Sequence, residues 1–162
     1  MVDEWIWEEE ILRNKQEVIF KFLNKVRAKC DRLVIIKNSP FVKKFYALCK
    51  RQHQAQDQIV RGIIRFFNGY FIYNLEKCVE YEETELHALP EDIEKEVKED
   101  DRYLVRAYLT AQANILITTD TPLIEVVSKY SINCKHADEF LPWYITRGEA
   151  NTQRERNLPT SS

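Results

Sequence analysis

Asp120 follows Ile115-Leu-Ile-Thr-Thr, a β-branched run that ends in two hydroxyl residues. In an open parallel sheet the ligand crevice lies beyond the carboxyl ends of the strands, so a carboxylate at that point is positioned for chemistry. Thr118 and Thr119 can donate or accept hydrogen bonds beside it. Asp101 opens the preceding helical stretch, and a helix that returns into a strand brings its first turn back beside the strand's last residue. Converging carboxylates repel one another unless a hard divalent cation or shared protons neutralise them. Aspartates at a helix start are also common caps, and Asp100 and Asp101 fit that role equally well in type. Convergence is the observation that separates a site from a pair of caps.

The elements that must position these residues can be read from periodicity. Ile11, Leu12, Lys15, Val18, Ile19, Phe22, Leu23 and Val26 recur at three- and four-residue steps, which predicts one helix from about 8 to 29. Leu33-Val-Ile-Ile36 reads as a short buried strand, followed by Ser39 and Pro40 as an N-cap and first helical position. Helices are expected from Pro40 to about Gln52 and from Gln56 to Asn68, where Asn68-Gly69 stops the second. Tyr70 to Tyr73 and Cys78 to Tyr81 have strand character, and Leu89-Pro90-Glu-Asp opens an acidic helix. Beyond them Asp100–Ala113 is read as a helix, Ile115–Thr118 as a strand, Thr121–Lys129 as a helix, Ile132–Cys134 as a strand and Ala137–Ile145 as a last helix. This alternation predicts an α/β domain over 1–146, with a short, mostly parallel sheet between helices. Residues 147–162 are polar throughout and read as a flexible tail.

Composition narrows the function classes. The 162 residues are 44% apolar and 31% charged, with only 3 glycines and 5 prolines, which fits one helix-rich globular domain. The longest apolar run, Phe45 to Cys49, is far short of a membrane span. The opening Met-Val-Asp-Glu-Trp-Ile-Trp is acidic where a leader is basic, so a cytoplasmic protein is expected. Cys30, Cys49, Cys78 and Cys134 form no C-x-x-C pair and read as reduced. His53, His87 and His136 stand apart from one another, and no glycine-rich phosphate loop is present. Charge is uneven: residues 1–74 hold 14 Lys/Arg against 8 Asp/Glu, whereas 75–162 hold 10 against 18, giving halves of +6 and −8. The basic half suits a polyanion, and the acidic stretch from Glu76 to Asp101 suits solvent or a basic partner.

The segment from Asp100 to Asp120 resembles the PIN domain family of metal-dependent nucleases, through Asp101, Leu104, Ala107, Ala113, Asn114, Thr118 and Asp120. Ile132-Asn-Cys-Lys and Ala137-Asp-Glu-Phe-Leu141 look like the family's closing strand and helix, so the resemblance spans 100–141. It implies a PIN-like fold with a first strand ending in an aspartate, for which Asp3 is the match, although only Met1 and Val2 precede it. That strand is either very short, runs through Trp5-Ile-Trp7, or is largely absent. The resemblance also implies a glutamate on the helix after Leu33–Ile36, a position that falls here on Lys43 or Lys44; Glu4, Glu8 or Glu9 could stand in.

On this resemblance Asp3, Asp101 and Asp120 are expected to hold Mg²⁺ or Mn²⁺, directly or through water, with Thr118 orienting a carboxylate or water. The expected activity is hydrolysis of RNA phosphodiesters, by two ions about 3.5–4 Å apart or by one ion that polarises the phosphate. Lys43, Lys44 and Arg106 are expected to contact substrate phosphates, with Lys37 and Arg102 nearby. Trp5 and Trp7 could stack on bases or pack in the core. The competing expectation is a degenerate, non-catalytic PIN-like module that binds RNA or protein, because a lysine supplies the charge a cation would otherwise bring. A homodimer or an antitoxin-like protein are the partners the resemblance implies.

Overall fold

Met1–Asp3 runs parallel to a short strand of the second half, with Val2 bridging Ile117 and the Asp3 N–H donating to the Ile117 carbonyl at 3.1 Å. The computed structural model that shows this describes residues 1–51 and 58–147. Glu4–Trp7 then forms a 3-10 turn that buries Trp5, Ile6 and Trp7. α1 (Glu9–Asn14) and α2 (Gln16–Ala28) follow. β1 (Leu33–Ile36) leads into α3 (Pro40–Arg51), and α4 (Gln58–Tyr70) precedes β2 (Cys78–Tyr81). The second half contains α5 (Glu91–Glu96), α6 (Arg102–Thr110), β3 (Leu116–Thr118), α7 (Thr121–Ser128), β4 (Cys134–His136) and α8 (Ala137–Thr146).

The architecture is mixed α/β. β1 and β2 pair in parallel with Leu33 opposite Cys78, and β3 and β4 pair in parallel with Leu116 opposite Cys134. Among the described residues these are two separate two-stranded sheets, and Met1–Asp3 adds a third short parallel segment beside β3. One apolar core gathers Trp5, Trp7, Phe41, Phe45 and Phe67, the last three rings lying within 4.8–5.5 Å of Trp7. A second contains Leu104, Val105, Leu116 and Val127 beneath α6 and α7. No helix of the described residues is long and apolar enough to cross a membrane.

Several boundaries differ from those read in the sequence. The expected helix over 8–29 is two helices, because the backbone leaves helical geometry at Lys15 (φ −124°, ψ 17°), whose ammonium reaches the Asp138 carboxylate on α8. The first strand does not run through Trp5-Ile-Trp7, which is 3-10 and buried. Asn68-Gly69 does not stop α4, which continues to Tyr70; no described glycine needs a left-handed φ, and Phe67 and Phe71 stack at 5.2 Å across the helix end. Tyr70–Tyr73 is consequently helix and turn. The last strand sits at Cys134–His136 rather than Ile132–Cys134, its register set by pairing with β3. α6 begins at Arg102, after a 3-10 turn over Glu99–Asp101. The expected ends at Gln52 and Gln56, His53 and the tail beyond Arg147 lie outside the described residues.

Candidate active site

Parallel pairing carries Asp3 to the carboxyl end of β3, where Thr118 is fully buried. The Thr118 hydroxyl donates to Asp3 Oδ2 at 2.9 Å and accepts the Asp120 N–H at 3.1 Å. One buried hydroxyl thus ties together residues from opposite ends of the chain. Asp3 Oδ1 accepts the Glu4 N–H at 2.6 Å, which holds the turn into the following 3-10 segment. Asp120 is the N-cap of α7: its Oδ1 accepts the Leu123 N–H at 2.9 Å, while Oδ2 lies 3.9 Å from Lys98 Nζ. Asp101 occupies the cap position of α6 but makes no side-chain cap hydrogen bond, so its carboxylate is not spent on the helix end.

These groups feel one another's charge. Burial pushes the Asp3 carboxyl up to about 7, helped by its hydrogen bond to the Glu4 carboxylate and by that group's charge. Burial acts on Glu4 in the same direction, but hydrogen bonds from Asp3 and Tyr103 and the nearby Lys44 charge hold it below its ordinary range. Of the pair, Asp3 therefore holds its proton the more tightly. The Tyr103 hydroxyl donates to Glu4 Oε2 at 2.7 Å, and burial with that bond raises its own proton affinity. Asp101 is also raised, first by burial and then by the charges of Asp120 and, more weakly, Glu4 and Asp100, with Lys98 opposing. Asp3, Glu4, Asp101 and Asp120 share one negative field at the ends of the strands.

Lys44 supplies a cation at its edge, 3.6 Å from Glu4 Oε1 and 3.3 Å from Glu8 Oε1. Lys43 is exposed on α3. Arg106 is directed elsewhere: its guanidinium donates to the Leu86 carbonyl at 2.8 Å and the His87 carbonyl at 3.0 Å, pinning the chain before α5. Lys37 pairs with Glu82 at 2.8 Å, and Arg102 reaches Glu94 and the Val97 carbonyl. Trp5 and Trp7 are core residues, with Trp5 Nε1 donating to the Ile117 carbonyl at 3.2 Å. His136 caps α8 through Nδ1, and His87 is exposed. Cys78 and Cys134 are buried, and burial raises their thiols to about 12 and about 11.

No family model, curated protein or solved structure matches the chain. The site therefore rests on its own geometry. Its donors are hard carboxylate oxygens, the type that Mg²⁺ and Mn²⁺ prefer. The described residues nevertheless contain no group of three or more His, Cys, Asp or Glu side chains drawn together closely enough to hold a metal. Charge, hydrogen bonding and the Lys44 ammonium organise the cluster as it stands. Sequence reasoning missed Tyr103, two positions after Asp101, and Lys98; neither carries a local signal, because their roles depend on partners 99 and 22 positions away.

Proposed function

We propose that this chain hydrolyses RNA phosphodiesters at the Asp3, Asp101 and Asp120 cluster, as a PIN-like nuclease. The observation that carries the proposal is the Thr118 hydroxyl, which donates to Asp3 and accepts from the Asp120 backbone, holding two acidic residues at adjoining strand ends. Support comes from Asp101, which spends no oxygen on capping and feels the charge of Asp120. Raised proton affinities on clustered acids are common at catalytic centres. Asp3, Asp101 and Asp120 are the residues toward which Mg²⁺ or Mn²⁺ would be drawn, and such an ion polarises a phosphate and lowers the pKa of bound water. Lys44, at the edge of the field, suits a phosphate oxygen as a point charge.

One observation favours a second reading, that of a non-catalytic RNA-binding or protein-binding module. Lys44 already neutralises part of the cluster through Glu4 and Glu8, and the described carboxylates are not gathered into a ligand set. Incubation of wild type and Asp101→Asn with end-labelled single-stranded RNA, with and without Mn²⁺, separates the two. The nuclease reading expects metal-dependent cleavage by wild type, reduced on the order of a hundredfold or more in the variant. RNA retained intact by both folded proteins favours the binding module.

A further inference from the structure

Phe20, Asn24 and Arg27 on α2 lie four and three residues apart, and Gly62, Arg65, Phe66 and Gly69 on α4 fall at i, i+3, i+4 and i+7, so each set shares one helix face. Ring contacts lay the two faces side by side. Phe20 meets Phe66 with ring centroids 5.1 Å apart, and Phe66 meets Tyr70 at 4.8 Å. The Arg27 guanidinium lies over the last two rings, 4.7 Å from the Tyr70 centroid and 5.5 Å from that of Phe66. Phe20 and Tyr70 nevertheless stay 40% and 43% exposed.

The surroundings are cationic. Residues 32–75 hold eight Lys/Arg and a single acid, Asp57, and α4 itself carries Arg61 and Arg65 with no acid. Neither Arg27 nor Arg65 has a carboxylate within ion-pair distance among the described residues, and the one acid of α2, Glu17, is taken by Lys21 at 2.7 Å. A guanidinium held over a ring keeps its N–H donors for a phosphate. The two glycines add room. A Cβ at Gly62 or Gly69 would meet nothing within 4 Å, so packing within this chain does not call for glycine at either position, although a helix is less stable with glycine than with alanine.

We infer that this face of α2 and α4 binds a single-stranded nucleic acid, with bases stacked on Tyr70 and Phe20 and backbone phosphates on Arg27 and Arg65. An acidic peptide would match the guanidinium groups and leave the ring faces without flat partners. A single strand supplies phosphates and bases in alternation, and its unpaired bases are free to stack. The side chains missing at Gly62 and Gly69 let the strand's backbone approach α4 closely. None of these residues belongs to the carboxylate cluster, so the inference goes beyond the nuclease reading and stands whether or not that cluster cleaves.

The test is fluorescence anisotropy of the full chain with a labelled oligouridylate and, in a second arm, an oligodeoxythymidylate, both in chelator so that binding is read apart from cleavage. Saturable binding is expected, and the difference between the arms says whether the 2′-hydroxyl is read. Tyr70→Leu keeps an apolar side chain but loses the ring, and should weaken binding about tenfold, the size of one base stack. Arg27→Gln with Arg65→Gln, both exposed, should lower the slope of log affinity against log salt by about 1.4, at about 0.7 for each phosphate neutralised on a single strand. Gly62→Glu, a better helix former in open space, should weaken binding while raising the melting temperature, which separates lost binding from lost folding. Absence of saturable binding to the folded wild type, unchanged binding by Tyr70→Leu, or displacement of the strand by an equal concentration of a polyglutamate peptide overturns the proposal.

Discussion

Replacing Asp3 with asparagine gives a sign that an ordinary buried-residue substitution would not. The folded protein holds the Asp3 proton far more tightly than the unfolded chain, with a pKa of about 7 against 3.8. A raised folded pKa means that stability is fully present below the unfolded value and is lost as pH rises toward the folded value. At about 1.4 kcal/mol for each tenfold change in proton affinity, the full loss above pH 7 is about 4 kcal/mol. Glu4, held below its ordinary range through the same hydrogen bond, offsets part of this, so about 4 kcal/mol is an upper bound. Met1 works in the opposite direction: its ammonium pKa, depressed from 8.0 to about 5, removes stability as pH falls from about 8 to about 5. The comparison must therefore be between wild type and variant at each pH, where the Met1 contribution cancels. The asparagine oxygen can still accept from Glu4 N–H or Thr118, so the variant keeps most of the local geometry. Urea unfolding followed by fluorescence of the buried Trp5 and Trp7, in chelator, should show Asp3→Asn more stable than wild type near pH 8, by at most about 4 kcal/mol, and by clearly less near pH 5. A variant destabilised equally at both pH values would refute the picture of a buried, repelled carboxyl.

Other perturbations follow from the same geometry. Tyr103→Phe should cost about 1–2 kcal/mol and raise the Glu4 pKa, because the Glu4 carboxylate loses a charged hydrogen bond; carboxyl NMR titration reads it directly. Lys44→Met should tighten Mn²⁺ binding measured by electron paramagnetic resonance, as removal of the ammonium leaves Glu4 and Glu8 uncompensated; unchanged or weaker binding would show that Lys44 does not compete with cations. Leu104→Ala, in a fully buried position of α6, should destabilise by about 2–5 kcal/mol in chemical denaturation. Arg106→Ala should accelerate amide hydrogen exchange around Leu86 and His87, whose carbonyls it holds, while leaving RNA cleavage near wild type.

Local chemistry carried much of the fold. The β-branched run Leu33–Ile36, the hydroxyl-ended strand before Asp120 and the Ser39-Pro40 helix start are all visible without tertiary information, and Ser39 lies buried at the head of α3. Long-range partners defeated the rest. The apolar stripe from Ile11 to Val26 gives no sign of the break at Lys15, which is associated with an acid 123 positions later. Aromatic residues 70–73 have strand propensity, yet Phe71 is fully buried against Phe67 and the helix continues past Gly69. At the site, strand-end position brought Asp120 and Thr118 into view, and Asp3 entered only through resemblance. Asp101 looked like a cap, and only the structure shows that its side chain does not act as one. Arg106 looked free for substrate because nothing in the sequence reveals that its guanidinium faces two carbonyls about twenty positions earlier.

The most direct test of the central claim is Asp120→Asn on end-labelled single-stranded RNA. Asparagine caps a helix about as well as aspartate, so the Leu123 N–H keeps its acceptor and α7 its start while the negative charge is removed. The account predicts cleavage by wild type that requires Mn²⁺, stops with chelator, and falls on the order of a hundredfold or more in the folded variant. Equal cleavage by the two proteins, or cleavage indifferent to chelator, would contradict it.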